Sequence, residues 1–383
     1  MLLVKKKIIM KVSVTIARIL VGVLFIFSGL IKAIDPLGLT YKMQEFFEVW
    51  GRDGYFTSLM NWVYNYAFSF SVIMITLEIV LGVALLTGWK KMLILRLLLL
   101  LILFFTFLTS YVLFSGKIAT CGCFGDCIPI TPIQTFTKDI ILLLLIIFLL
   151  YGQKYVTPLF KNILDGGLVL ISMVAVILLQ AYVVKHLPLK DCLPFKKGND
   201  LLKLRLMPAD AIPDKFENSF IYKKNSEQKT FTVDKLPDSS WTYVDRKQTL
   251  IKKGKNNVPL INDFSLTDSA GVDATETLLS QSGEYYLFFL KDIKGGTVKW
   301  STAFTNLWQK AKQQNKPLYI VTADKAEANH FFNELNKYNL AIYTCDATAI
   351  KTAARANPTL FLMKGPIVQG KWGWADIGEA GGN

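Results

Sequence analysis

Apolar residues run almost unbroken through five stretches in the first half of the chain, among them IARILVGVLFIFSGLI, VIMITLEIVLGVALL, MLILRLLLLLILFFTFL and DIILLLLIIFLL. Neither the strict alternation of a half-buried strand nor the one-sided stripe of a surface helix is present. Each stretch approaches the ~20 residues that a helix needs to cross a hydrocarbon layer of about 30 Å. The pattern predicts transmembrane helices at 12–34, 67–86, 92–114, 133–151 and 164–184. Between the first two, TYKMQEFFEVWGRDGYFTSLMNWVYNY mixes aromatics with acids and amides, as suits a helix lying in the headgroup layer. It reads as an aromatic belt, with a substrate or quinone portal as the sharper alternative.

Past Pro188 the pattern is that of a water-facing protein. HLPLKDCLPFKKGNDL, punctuated by Pro188 and Pro194, predicts a tether. SFIYKKNSEQKTFTVDKL predicts two strands about a polar turn and WTYVDRKQTLI a third, so residues 189–257 are expected to be a β-rich tether. Further on, EYYLFFLKD and PLYIVTAD read as strands, TVKWSTAFTNLWQKAKQQ and EANHFFNELNKY as helices, and ANPTLFLMKGPIVQGKWGW as a closing hairpin. The expected division is thus a membrane domain at 1–188, the tether, and an α/β domain at 258–377.

Charge changes the picture by adding an orientation. The net charge is +14, but residues 1–188 carry 16 Lys/Arg against 8 Asp/Glu, with most of the cations flanking predicted spans. With the N-terminus in the cytoplasm, the inner loops hold Lys5, Lys6, Lys7, Lys11, Lys90, Lys91, Lys154 and Lys161, and the outer ones Lys42, Arg52 and Lys117. Five spans then place the C-terminal domain in the periplasm, and the chain is expected in the inner (cytoplasmic) membrane. The remainder has 27 cations against 21 anions with no basic run or RNA-binding aromatic signature, so nucleic acid is not an expected partner. Lys5–Lys7 precede an apolar run longer than a signal peptide's and without a small-x-small site, so the first span is expected to be retained.

Candidate chemistry concentrates in TCGCFGDCIP, which places Cys121, Cys123 and Cys127 in one outer loop, with Cys192 beyond the fifth span on the same side. An oxidising compartment favours disulfides there, and four cysteines allow three pairings. Cys121 and Cys123 form a candidate redox pair, because a C-x-C disulfide closes a small, strained and relatively oxidising ring. Cys127 and Cys192 are candidate partners, and pairings that merely pin the loop are the bland alternative. No metal site is expected, since neither His is near this loop. Cys345 reads as a buried small hydrophobe. Within the spans, Arg18, Glu78 and Arg96 are charged. Glu78 is expected to pair with Arg18 or Arg96, or else to relay protons or contact a quinone, while the arginines have the alternative of snorkelling to the headgroups.

Residues 12–152 resemble the DoxX/MauE-like family, through ARILVGVLFIFSGLIKAIDPLG, LEIVLGVALLTGW and CGCFG, the last pointing to the MauE side. The resemblance implies a helical bundle laid out like vitamin K epoxide reductase-type proteins, and MauE is linked to disulfide-dependent maturation of a periplasmic enzyme. The whole arrangement resembles the Bacteroidota type of DoxX protein with a C-terminal thioredoxin-like domain. The soluble end resembles a thioredoxin fold, with Asn357-Pro358 where that fold keeps its cis-proline; yet KDIKGGTVKW stands where a redox thioredoxin has Cys-x-x-Cys. The expected fold is therefore an all-α membrane bundle of about five helices plus a thioredoxin-like α/β domain lacking CxxC.

Two functions compete. One is a membrane protein supporting assembly or thiol–disulfide maturation of periplasmic or envelope proteins, in its catalytic form a thiol–disulfide oxidoreductase linked to a quinone. The other is a non-catalytic membrane scaffold whose degenerate thioredoxin-like domain docks a partner. A transporter is a distant third, as no inverted repeat is visible. No cofactor is certain, with quinone the candidate, and the lipid bilayer is the first partner.

Overall fold

The computed structural model describes residues 2–160, 162–225, 227–293 and 297–380. The first half is a helical bundle: α1 (Leu2–Ala33), the short helices α2 (Pro36–Arg52) and α3 (Thr57–Asn65), then α4 (Ala67–Thr87), α5 (Lys91–Ser115), α6 (Pro132–Tyr151) and α7 (Asn162–His186). All but α2 and α3 are long and apolar enough to cross a membrane, so this is a multi-pass membrane protein. Local chemistry sets the ends. The Asp35 carboxylate accepts from the Gly38 amide at 3.1 Å with Pro36 opening α2, and Thr131 and Gln134 form a reciprocal capping box around Pro132 at the start of α6.

The bundle core is built from Val14, Val21 and Phe25 of α1, Ile75 and Ile79 of α4, Leu95, Leu98 and Ile102 of α5, and Ile146 and Leu149 of α6. Helix α1 lies almost in contact with α4. A Cβ added at Gly82 would stand 2.9 Å from the Gly22 carbonyl oxygen, so the backbones meet where small residues allow it. Large apolar side chains such as Leu100, Leu144 and Leu178 face outward, the inverse of a water-soluble domain and suited to lipid.

Beyond α7 come α8 (Leu201–Leu204) and an antiparallel three-stranded sheet, β1 (Lys215–Lys224), β2 (Glu227–Thr232) and β3 (Thr242–Lys252), in the order β2-β1-β3. Its strands are mostly exposed. The α/β domain follows: α9 (Thr275–Leu279), β4 (Glu284–Leu290), α10 (Thr297–Gln313), β5 (Leu318–Thr322), α11 (Lys325–Asn329), β6 (Ile342–Thr344), α12 (Ala347–Ala353), β7 (Thr359–Lys364) and β8 (Ile367–Gly373). Its sheet order is β6-β5-β4-β7-β8, with β4, β5 and β6 parallel and the β7–β8 hairpin antiparallel. The central strand is covered on both faces. Tyr285, Leu287 and Phe289 pack with Phe361, Met363 and α12, whereas Tyr286, Phe288 and Leu290 pack with Trp300, Phe304 and Phe332.

The expected tether is not a free linker over its whole length. Phe195 and Leu201 lie in the α/β core, and the Leu201 amide donates to the Pro366 carbonyl at 2.9 Å, extending the domain upstream of residue 258. The reason is apolar area: FKKGNDLL supplies the side chains that cover one face of the sheet.

Candidate functional site: a buried dithiol under the α/β domain

The loop between α5 and α6 brings Cys121 and Cys123 together. Gly122 has φ +70° and Gly125 φ +57°, and the Gly125 amide donates to the Gly122 carbonyl at 3.0 Å. Left-handed backbone at these two positions, which glycine adopts without a Cβ penalty, folds the chain back on itself. A Cβ at Gly122 would also press on the Lys42 side chain of α2 at 3.0 Å. The result is a Cys121 Sγ–Cys123 Sγ separation of 3.0 Å, a hydrogen-bonded pair of thiols, both buried. A cleft of about 360 Å³ lies along this loop, lined by Cys121, Cys123, Phe124, Asp126, Pro132 and Thr135 among others.

Proximity splits the two acidities. The hydrogen bond from Cys123, outweighing burial, holds the Cys121 thiol down to about 6. Cys123, as the donor to that thiolate and buried besides, is pushed well above the ordinary cysteine range. Of the two, Cys121 is therefore the one that ionises first.

Beneath the pair lies a chain of buried polar groups. Ser28 Oγ donates to the Cys123 carbonyl at 3.2 Å and stands 3.5 Å from Glu78 Oε1. Lys32 Nζ reaches both Glu78 oxygens at 2.6 Å, and Lys138 pairs with Asp139 at 2.9 Å while lying over the Phe124 ring. The expected pairing of Glu78 with Arg18 or Arg96 is thus corrected. Arg18 donates instead to the carbonyls of Leu85, Leu86 and Thr157, at 2.7, 2.5 and 2.8 Å. It caps the C-terminal end of α4, where unpaired carbonyls and the negative end of the helix dipole attract a cation. Arg96 is exposed on α5 and pairs with no carboxylate among the described residues. Sequence reasoning missed Lys32, Ser28, Lys138 and Asp139. The signal available was the spacing Ser28–Lys32, one helical turn apart on one face of α1.

Cys127 is bonded to Cys192, one of the three pairings open to the sequence, which joins the loop to the segment leading into the α/β domain. Cys345 is free and buried between β6 and α12, its thiol pushed up to about 12 by burial. The Asn357-Pro358 bond is cis and Pro358 is buried. Of KDIKGGTVKW, Lys294–Gly296 lie outside the described residues.

The end of the α/β domain that carries Pro358 sits on the membrane domain. Arg355 Nε bonds Asp35 Oδ2 at 2.8 Å and Nη2 bonds Asp126 Oδ2 at 2.5 Å. Lys291 Nζ donates to the Tyr41 hydroxyl, and Lys351 Nζ donates to Gln44 Oε1 at 3.2 Å. The faces of these contacts converge on the Tyr41 ring, which lies under Lys291, Lys351 and Arg355. Burial, with Arg355 nearby, lowers Lys291 to about 7. Lys371–Asp191 at 2.7 Å and His186–Asp376 at 2.6 Å tie the same end of the domain to α7 and its exit.

Residues 10–152 match the family described as methylamine utilisation protein MauE, and residues 216–253 match a domain of unknown function, DUF8463. Protein TlpB of Flavobacterium psychrophilum is 32% identical over 140 residues, 35% of each chain, so the match spans about a third of that relative's length. No solved structure matches the chain.

Proposed function

We propose that this chain, whose residues 10–152 belong to the MauE/DoxX-like family of membrane proteins, supports assembly or thiol–disulfide maturation of envelope proteins through Cys121 and Cys123. The single observation that carries the reading is the 3.0 Å contact between two free, buried sulfurs beside a bonded Cys127–Cys192 pair. A structural loop needs one staple; the second pair is left as an exchange centre. In the reducing direction the Cys121 thiolate attacks one sulfur of a client disulfide, and the client's other sulfur leaves as a thiolate and takes a proton. Cys123 then loses its proton and attacks Cys121, leaving a Cys121–Cys123 disulfide and a client dithiol. Run backwards, the same steps oxidise the client.

Turnover moves two electrons and two protons between the pair and a second redox couple. A membrane quinone, which when bound would take both from the dithiol in the client-oxidising direction, is the candidate. An apolar groove of about 410 Å³ along Leu24, Ile133, Ile141 and Leu142, with Lys138 in its wall, would hold it between α1 and α6. The cation bias of the loops supports an outer orientation of the loop and the α/β domain. The sheet order and cis Asn357-Pro358 bond support a thioredoxin-like reading of the α/β domain.

The scaffold reading draws on one observation: among the described residues of that domain the only cysteine is Cys345, buried and far up in pKa. A Cys123→Ser variant separates the two. It should trap mixed disulfides with envelope proteins through Cys121, resolved by reductant on a non-reducing gel. Absence of adducts with both Cys123→Ser and Cys121→Ser would leave docking by the α/β domain as the working activity.

A further inference from the structure

We propose that Arg355 is a positioning residue for the Cys121/Cys123 pair: from the α/β domain it holds the membrane-domain loop in the turn that keeps the two sulfurs in contact. The inference rests on the exchange-centre reading and assigns the cysteine-free domain a part in it.

Both arms of the guanidinium lead to that turn. Asp126, three residues past Cys123, is held by Nη2, and the adjacent Cys127 is bonded to Cys192. Asp35, held by Nε, caps α2, and α2 carries the Lys42 side chain that packs against Gly122 between the two cysteines. The loop is therefore gripped from its far end and supported from beneath by one side chain. Nη1 donates to the Lys351 carbonyl at 2.8 Å, which fixes the guanidinium to α12. A buried cation is stable only where paired and hydrogen-bonded, and the planar fork of arginine suits two carboxylates at once. The Arg355 side chain is 6% exposed, so its place is defined by these partners. A simple latch between domains has no such requirement on the cysteine turn.

The discriminating readout is the ionisation of Cys121, whose low pKa depends on Cys123 staying at hydrogen-bond distance. The groups facing the pair are Thr135, Lys138 and Asp139 of α6, Glu78 of α4, Ser28 and Lys32 of α1, and Lys42 of α2. The test variants leave all of them in place. Full-length protein would be reduced gently, and Cys121 alkylation by iodoacetamide followed against pH by mass spectrometry. The parent is expected to react half-maximally near pH 6. Arg355→Ala and Asp126→Asn should each move that midpoint up by about one pH unit or more, towards the ordinary cysteine value of ~8.5. Arg355→Lys, reaching one carboxylate at a time, should fall between. The double variant should shift no further than the larger single shift, because both changes break one tie.

Unchanged midpoints in the variants, or additive shifts in the double, would overturn the positioning role while leaving the dithiol intact. If Arg355→Ala does not fold, Asp126→Asn, at a half-exposed carboxylate, carries the test alone. A parent with no thiolate below pH 8 would remove the exchange-centre reading, and this inference with it.

Discussion

At the residue scale, the pair Lys32–Glu78 shows how charge is tolerated inside the bundle. Either side chain alone would cost several kcal/mol in hydrocarbon, whereas together, 3% exposed and 2.6 Å apart, each satisfies the other. Removing one partner is therefore worse than removing both. Glu78→Leu should lower folded yield and cost ~3–5 kcal/mol in detergent unfolding, and Lys32→Met/Glu78→Leu should regain most of that loss. A double variant no more stable than Glu78→Leu would show that the pair acts on something other than its own charge. If Glu78→Leu instead folds as well as the parent but traps no clients, the carboxylate belongs to proton transfer. The two cysteines obey similar logic: the Cys121 thiol is made more acidic in a buried place because a neighbouring thiol donates to it.

At the element scale, the bundle depends on how closely α1 and α4 approach, since that seam carries both Ser28–Lys32 and Glu78. Gly82 is where the spacing is set: an added side chain would meet Ile26 at 2.8 Å and the Gly22 carbonyl at 2.9 Å. Backbone cannot yield as a flexible side chain can. Gly82→Val should destabilise the bundle by about 1–3 kcal/mol and lengthen the Lys32–Glu78 contact, read as a lower unfolding temperature. Gly29→Ala, whose added Cβ would meet the Ile79 side chain at 2.5 Å, should cost less than Gly82→Val, because a rotamer change can relieve it. Equal costs would argue that the seam is not limited by backbone approach.

At the scale of the whole molecule, docking of the α/β domain has a pH dependence of definite sign. Lys291 is held near 7 when docked and lies near 10.5 when free in water. Between those values the undocked state binds the extra proton, so docking strengthens as pH rises through this window and is weakest below 7. Hydrogen exchange of α2 and the cysteine loop should thus be slower at pH 9 than at pH 6.5 after correction for intrinsic rates. Lys291→Met should flatten that difference, and a persisting slope would assign it to another group. Topology belongs to this scale as well. A reporter fused after Lys190 is expected to be active only in the periplasm and one at Lys90 only in the cytoplasm; the reverse pattern would place the dithiol in a reducing compartment and end the disulfide argument.

The sequence by itself determined the five spans, the change of solvent near Pro188 and the strand and helix order of the α/β domain, because apolar run length and period are local properties of a chain. The CGCFGDC loop was legible as chemistry for the same reason: its cysteines and glycines are neighbours in sequence. What only the tertiary structure decided were the partners of groups that neighbours cannot satisfy. Which of three pairings Cys127 adopts, that Glu78 meets Lys32 while Arg18 caps α4, and that Arg355 joins Asp35 to Asp126 all depend on depth and rotation of helices far apart in the chain. A helical wheel limits which residues share a face but not how two helices are phased against each other. Phase is set by packing, here by the glycine contact of α1 with α4, and the Lys32–Glu78 pair across that seam follows from it.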